Sequence, residues 1–164
     1  MPFLKGTATA EQGEWFLFGK DSDDAEIRFK VRRISPGKEH EIERRHSGRK
    51  GELHSRKGDL VLPVDRDADL AAEIEKAVYC LIDSENVAVV MLDQDSADAY
   101  GAVLSEALQP GKPSKLDGKW TPELRRLFLS DELNVGRRII AASRKLGIQA
   151  IKEEEEGKGD SSSS

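Results

Sequence analysis

ADLAAEIEKAVYCLIDSENVAVVML, residues Ala68 to Leu92, changes its hydrophobic rhythm partway along, and that change sets the fold class. Leu70, Ile74, Ala77, Val78 and Leu81 recur three or four apart, the spacing of one buried helix face. Val87 to Leu92 are six consecutive apolar residues, the pattern of a buried strand. A helix leading through Asp83-Ser84-Glu85-Asn86 into a strand is therefore expected at the centre of the core. Asp65, Asp67 and Asp69 open that helix, where carboxylates can accept from free amides and complement the positive end of the helix dipole.

Upstream, the sequence reads as β structure. Trp15 to Phe18 form a short strand, ended by the polar cluster Gly19 to Asp24. Ile27, Phe29 and Val31 then alternate with Arg28, Lys30 and Arg32, giving one buried and one basic face, with Ile34 out of phase at the end. Ser35-Pro36 has the form of a helix start, but Lys38 to His46 is nearly all charged around Ile42. Arg44, Arg45, Arg49, Lys50, Arg56 and Lys57 follow with Glu52 as the one acid among them. Glycines at 48, 51 and 58 and the apolar close Leu60 to Val64 suggest a projecting basic hairpin, with Pro63 placing its last strand at an edge.

Downstream, the sequence reads as helices. Asp95 caps one, with Tyr100, Val103, Leu104 and Ala107 on its inner face and Gln109 to Pro113 as its stop. Thr121-Pro122-Glu123 starts another with Leu124, Leu127 and Phe128 inward. A last helix begins near Asn134, presents Val135, Ile139, Ala142 and Leu146, and stops at Gly147-Ile148. The run Glu153 to Glu156, two glycines and a serine tract have no means of packing and are expected to be disordered. The class is thus α+β: one domain over 1–150, mainly β to residue 64 and mainly α after it, then an acidic tail over 151–164.

The chain has 164 residues, enough for a core without metal or disulfide support, and a net charge of −5, so it is not drawn as a whole to nucleic acid or anionic membrane. Basic binding, if any, is local to the 44–57 segment, which has no aromatic residue for stacking. The single cysteine, Cys80, suits a reducing compartment as a buried thiol. The beginning of the sequence lacks the apolar stretch of a secretory signal, and no apolar run is long enough to span a bilayer, so a cytoplasmic location is expected. Asp65, Asp67 and Asp69 resemble the opening of a calcium loop, but Leu70 stands at the glycine position and Lys76 at the bidentate acid position. His40, His46 and His54 lack metal-ligand spacing, and Gly111-Lys112 lacks the context of a phosphate loop. No catalytic, cofactor-binding or metal-binding residue is assigned, and the chain is read as a non-enzyme.

Several segments together resemble the tail assembly chaperones of long-tailed bacteriophages: Phe3-Leu4-Lys5-Gly6 followed by Glu14-Trp15-Phe16, the basic strand Phe29 to Ile34, Leu81 to Asn86, Leu116 to Glu123, and the acidic end. The resemblance implies a non-catalytic factor that coats the tape measure protein, keeps its apolar helices soluble, helps recruit major tail tube subunits and is absent from the finished virion. Such proteins are often made in two lengths by a programmed ribosomal slip, and Glu156-Gly157-Lys158 can be encoded across a GGGAAAG run, as expected of the shorter product. Candidate partner-binding residues are the six basic residues from Arg44 to Lys57 together with Trp120, Arg125, Arg137 and Arg138. Self-association is compatible with this reading. The rival readings are a structural virion protein, either a minor tail or a head–tail joining component, and a nucleic-acid module built on the basic arm.

Overall fold

The computed structural model describes residues 12–55 and 66–162. Its sheet is built around the alternating strand anticipated from Ile27 to Val31. Strand β1 (Glu14–Lys20) and strand β2 (Glu26–Val31) pair antiparallel with Phe16 opposite Phe29, and β1 bulges between Leu17 and Gly19. The turn between them is tied by Asp21, whose carboxylate accepts from the amides of Asp23 and Ala25, both at 2.9 Å.

The other neighbour of β2 is strand β3 (Leu81–Glu85), with Phe29 opposite Ser84 and Val31 opposite Leu81. Here the structure corrects the sequence reading. Asp83 to Asn86 is not the turn after the helix; most of it is the third strand of the sheet. Helix α1 (Pro36–Ser55) precedes helix α2 (Arg66–Cys80), and α2 passes into β3 without a connecting loop. The switch is possible because the last carbonyls of α2 find donors on Arg32, the residue just after β2. The Cys80 carbonyl accepts from the Arg32 amide at 2.9 Å, and the Tyr79 carbonyl accepts from Arg32 Nε at 2.6 Å, while the guanidinium lies 3.9 Å from the centre of the Tyr79 ring.

After Asn86, whose φ of 62° makes the turn, strand β4 (Ala88–Val90) forms a separate ribbon with β5 (Pro113–Lys115). The apolar run from Val87 is therefore not a core strand of the main sheet. Asp117 clasps this turn: its carboxylate accepts from the Ser84 hydroxyl (2.6 Å), the Asn86 amide (2.9 Å) and the Val87 amide (3.1 Å). Ser84 is buried and accepts in turn from the Trp120 indole at 2.8 Å.

The basic segment is helical through Ser55, which replaces the expected hairpin; residues 56–64, including Arg56, Lys57 and the proposed edge strand Leu60 to Val64, lie outside the described residues. Gly48 and Gly51 were turn signals on paper. Their helical cost, about 1 kcal/mol each, is opposed by specific ties. Ser35 accepts from the Lys38 amide, Ile42 is buried, Arg45 bridges Glu41 (2.8 Å) on its own helix and Glu75 (2.7 Å) on α2, His46 also meets Glu75, and Lys76 reaches Glu43 at 2.6 Å. The fold is α+β, a small antiparallel β region followed by a mostly helical part, and among the described residues before 65 the twenty-residue α1 follows the two strands.

Helix α3 (Gln94–Leu104) is capped by Asp93 rather than Asp95: the Asp93 carboxylate accepts from the Ser96 amide at 2.7 Å, which holds its pKa below the usual range. It ends at Ser105 in the left-handed conformation, before Ala107. Helix α4 (Pro122–Asp131) starts as the sequence indicates, with Thr121 as cap and proline in the first turn. Helix α5 (Leu133–Ser162) buries Ile139, Ile140, Ala142 and Leu146. It does not stop at Gly147. A Cβ there would make only an ordinary contact, 3.4 Å from the Arg33 side chain, and the helix passes through the glycine uninterrupted. The backbone of the acidic segment expected to be disordered continues the helix to Ser162.

The core lies between one face of the sheet and helices α2, α4 and α5. Phe29, Val31, Leu81, Leu116, Leu124, Leu129 and Ile139 are buried there. Phe29 links two aromatic contacts, meeting Phe18 at 4.8 Å and Phe128 at 6.3 Å, and Trp120 meets Phe128 edge-on at 5.1 Å. Ser143 of α5 is buried and accepts from the Ile34 amide at 2.8 Å, which accounts for the out-of-phase burial of Ile34. Among the described residues, no helix is long and apolar enough to cross a membrane.

Candidate functional site

An open groove of about 760 Å³ lies where the two β ribbons meet the helices. One wall is the distal end of the β1–β2 hairpin, through Phe18 and Ile27. The opposite wall is β4 and the residues that follow it, and the groove is completed by the N-terminal half of α3, the C-terminal end of α4 and the first turns of α5. This volume lies within the range of ordinary binding clefts, about 300–1,000 Å³.

The groove exists because the apolar run starting at Val87 alternates. Val87 and Met91 turn into the core, 6% and 3% exposed, whereas Val90 is 49% and Leu92 91% exposed at the lip. An extended backbone sends successive side chains to opposite faces, so a six-residue apolar run anchored by two core residues necessarily directs others outward. Behind the lip, Val89, Tyr100 and Val135 supply further apolar surface.

Carboxylates border this surface. Asp21, Asp93, Asp131 and Glu132 all line the groove, and Arg138 is the one basic residue among the described residues of its lining. Arg138 lies 4.4 Å from the centre of the Phe18 ring. Asp131 accepts from the Tyr100 hydroxyl at 3.2 Å; burial, reinforced by the charge on Asp131, pushes the Tyr100 phenol well above its ordinary pKa. The groove therefore combines a nonpolar floor with negative charge at its edges. Among the described residues, its lining contains no histidine, cysteine or lysine.

Of the candidate partner residues with described side chains, Arg138 alone is placed at this groove. Arg137 points elsewhere, pairing with Glu73 of α2 at 2.9 Å. Trp120 is buried in the core, 7% exposed, and its indole is committed to Ser84, so it cannot serve as a contact residue in the folded chain. Arg125 is half-buried with an Nε that finds no acceptor; burial, and then the nearby Arg32 guanidinium, lower its pKa. Arg45 is held by Glu41 and Glu75, and Arg44 is exposed on α1. Arg49 and Lys50 sit on the helical backbone of α1, with side chains outside the described residues.

The sequence reading missed Val90, Leu92, Asp131 and Glu132. One signal for the last two was present. They close α4 at the end where the helix dipole is negative and acidic residues are disfavoured, and the last turn of α4 carries no basic residue to offset them. Cys80 behaves as the sequence suggested, a buried thiol whose pKa desolvation raises to about 11. Among the described residues no group of three or more histidine, cysteine, aspartate or glutamate side chains could hold a metal ion. Compared with protein-family models, curated proteins and solved structures, the chain matches none.

Proposed function

We propose that this protein is a non-catalytic tail assembly chaperone of the tailed-bacteriophage type, holding apolar helical segments of the tape measure protein in its groove while tail tube subunits are recruited. The observation that carries the reading is Leu92, 91% exposed beside half-exposed Val90 at the lip of an apolar groove. A solvated leucine contributes nothing to the core. On a partner's helix, however, its burial with that of Val90 would contribute about 25 cal/mol for each Å² of apolar surface removed from water. An amphipathic helix laid in a groove is a recurrent recognition mode, and long apolar helices are what a tape measure chaperone has to cover.

Co-expression with the neighbouring tape measure gene tests the proposal. The expected result is increased solubility of that protein and its co-purification with this chain, with both effects lost in Leu92→Asp. Unchanged solubility with nothing co-purified would defeat the reading. Stoichiometric presence of this chain in purified virions would instead favour a structural virion component.

A further inference from the structure

We infer that the groove selects a cationic amphipathic helix, one whose apolar stripe is flanked by lysine or arginine. This deepens the chaperone proposal and rests on its groove. Four carboxylates and one guanidinium line the cleft, and the guanidinium, that of Arg138, already lies against Phe18. Asp21 and Asp93 accept from backbone amides, which positions their carboxylates without neutralising them. Asp131 and Glu132 form no ion pair among the described residues.

The contrast with the α1–α2 surface is informative. There Glu39, Glu41, Glu43 and Glu75 are all matched by Arg45, His46, Lys76 or Arg144. At the groove the charge is left over, beside apolar surface that is also left over. A helix with leucines spaced three and four apart fills such a cleft along one stripe, and residues bordering the stripe lie over the rim. Lysine and arginine suit this position twice: the charged head meets the carboxylates, and the methylene stem covers Leu92 and Val90. A glutamate-flanked helix of the same apolar content would place like charges together as its ends lose water.

The test uses two fluorescently labelled peptides with the same leucine stripe, one flanked by lysine and one by glutamate, titrated against the full chain by anisotropy. The lysine peptide is expected to bind at least about tenfold more tightly at low salt, with the difference shrinking as salt is raised toward ~0.5 M. D131N/E132Q should weaken that binding about three- to tenfold, whereas D98N/E123Q, which removes the same charge away from the groove, should not. Equal binding of both peptides, abolished by Leu92→Asp, would overturn the charge selectivity and leave the groove reading intact. Lysine-peptide binding that both D131N/E132Q and Leu92→Asp leave unchanged would reduce the effect to general attraction by an acidic chain and overturn the inference. Failure of both peptides to bind would remove the groove reading as well.

Discussion

Asp117→Ala should destabilise the fold more than any other single change at a partly exposed acid, because one carboxylate organises the crossing from β3 to β4. It accepts from the Ser84 hydroxyl at 2.6 Å, the Val87 amide at 3.1 Å and the Asn86 amide at 2.9 Å. Asn86 is exposed and its amide can turn to water, but Ser84 is buried and Val87 is 6% exposed, so two donors lose a charged acceptor without easy replacement. Hydrogen bonds to a charged group contribute about 1.5–3 kcal/mol each, and discounting for the partial exposure of Asp117 leaves a loss of about 2–4 kcal/mol. At roughly 2–4 °C per kcal/mol for a chain of this size, the melting midpoint should fall by about 4–16 °C in a circular dichroism scan. Asp117→Asn should fall between, since its amide group replaces an acceptor with a donor. Ser84 and Asp117 belong to one network that also holds the Trp120 indole, so the double mutant S84A/D117A should be less damaging than the sum of the singles by about 1 kcal/mol. A midpoint within about 2 °C of the parent, or strict additivity in the cycle, would show that the clasp is incidental.

Leu92→Asp should leave the melting midpoint within about 1 °C of the parent, because a 91% exposed side chain gives the folded state little, while abolishing partner capture; a large loss of stability would place Leu92 in the fold instead. Cys80, fully buried with its thiol pushed up to about 11, should react with Ellman's reagent at pH 8 only as the chain unfolds; rapid native-state labelling would contradict that placement. Tyr100 should titrate above the ordinary phenol range in an ultraviolet scan. Its folded pKa lies above the unfolded value near 10, so the folded form retains the proton longer, and stability present below pH 10 should decline above it by up to about 1.4 kcal/mol per pH unit. Arg125→Met keeps the aliphatic stem and removes an Nε that has no acceptor, and should raise the midpoint by about 2–4 °C, roughly 1 kcal/mol; a drop would reveal a partner for that guanidinium.

Much of the secondary structure was legible because its signals are local. The alternation around Phe29, the proline-bearing start of α4 and the spacing of Ile139, Ala142 and Leu146 each depend on residues a few positions apart. The errors arose where a distant partner decided. Leu81 to Glu85 reads as the frayed end of a helix until β2 supplies a ladder and Trp120 with Asp117 satisfies Ser84. The segment after Arg44 reads as a projecting basic hairpin until α2 presents Glu75 to Arg45 and His46. Gly147 reads as a helix stop, yet the helix runs through it to Ser162. The candidate site was less legible still. Basic residues stood out by density, yet several of them are consumed by ion pairs within the fold, whereas the groove is made of ordinary valine, leucine and aspartate whose exposure follows from topology.

Two local rules fail at the same place, and their coincidence argues more strongly than either alone. Apolar residues at the lip of β4 and beyond it gain nothing from water, and carboxylates at the C-terminal end of α4 oppose the helix dipole. Trp15, Leu17 and Ile148 are also exposed away from the groove, but among the described residues no acid at the negative end of a helix accompanies them there, whereas acids open α2 and α4, Thr121 and Asp93 cap their helices, and the charges between α1 and α2 are matched. What sets the groove apart is that both departures meet there: an apolar lip and acids at the end of α4 each cost the isolated chain a little, and a single amphipathic partner with basic flanks would resolve both at once.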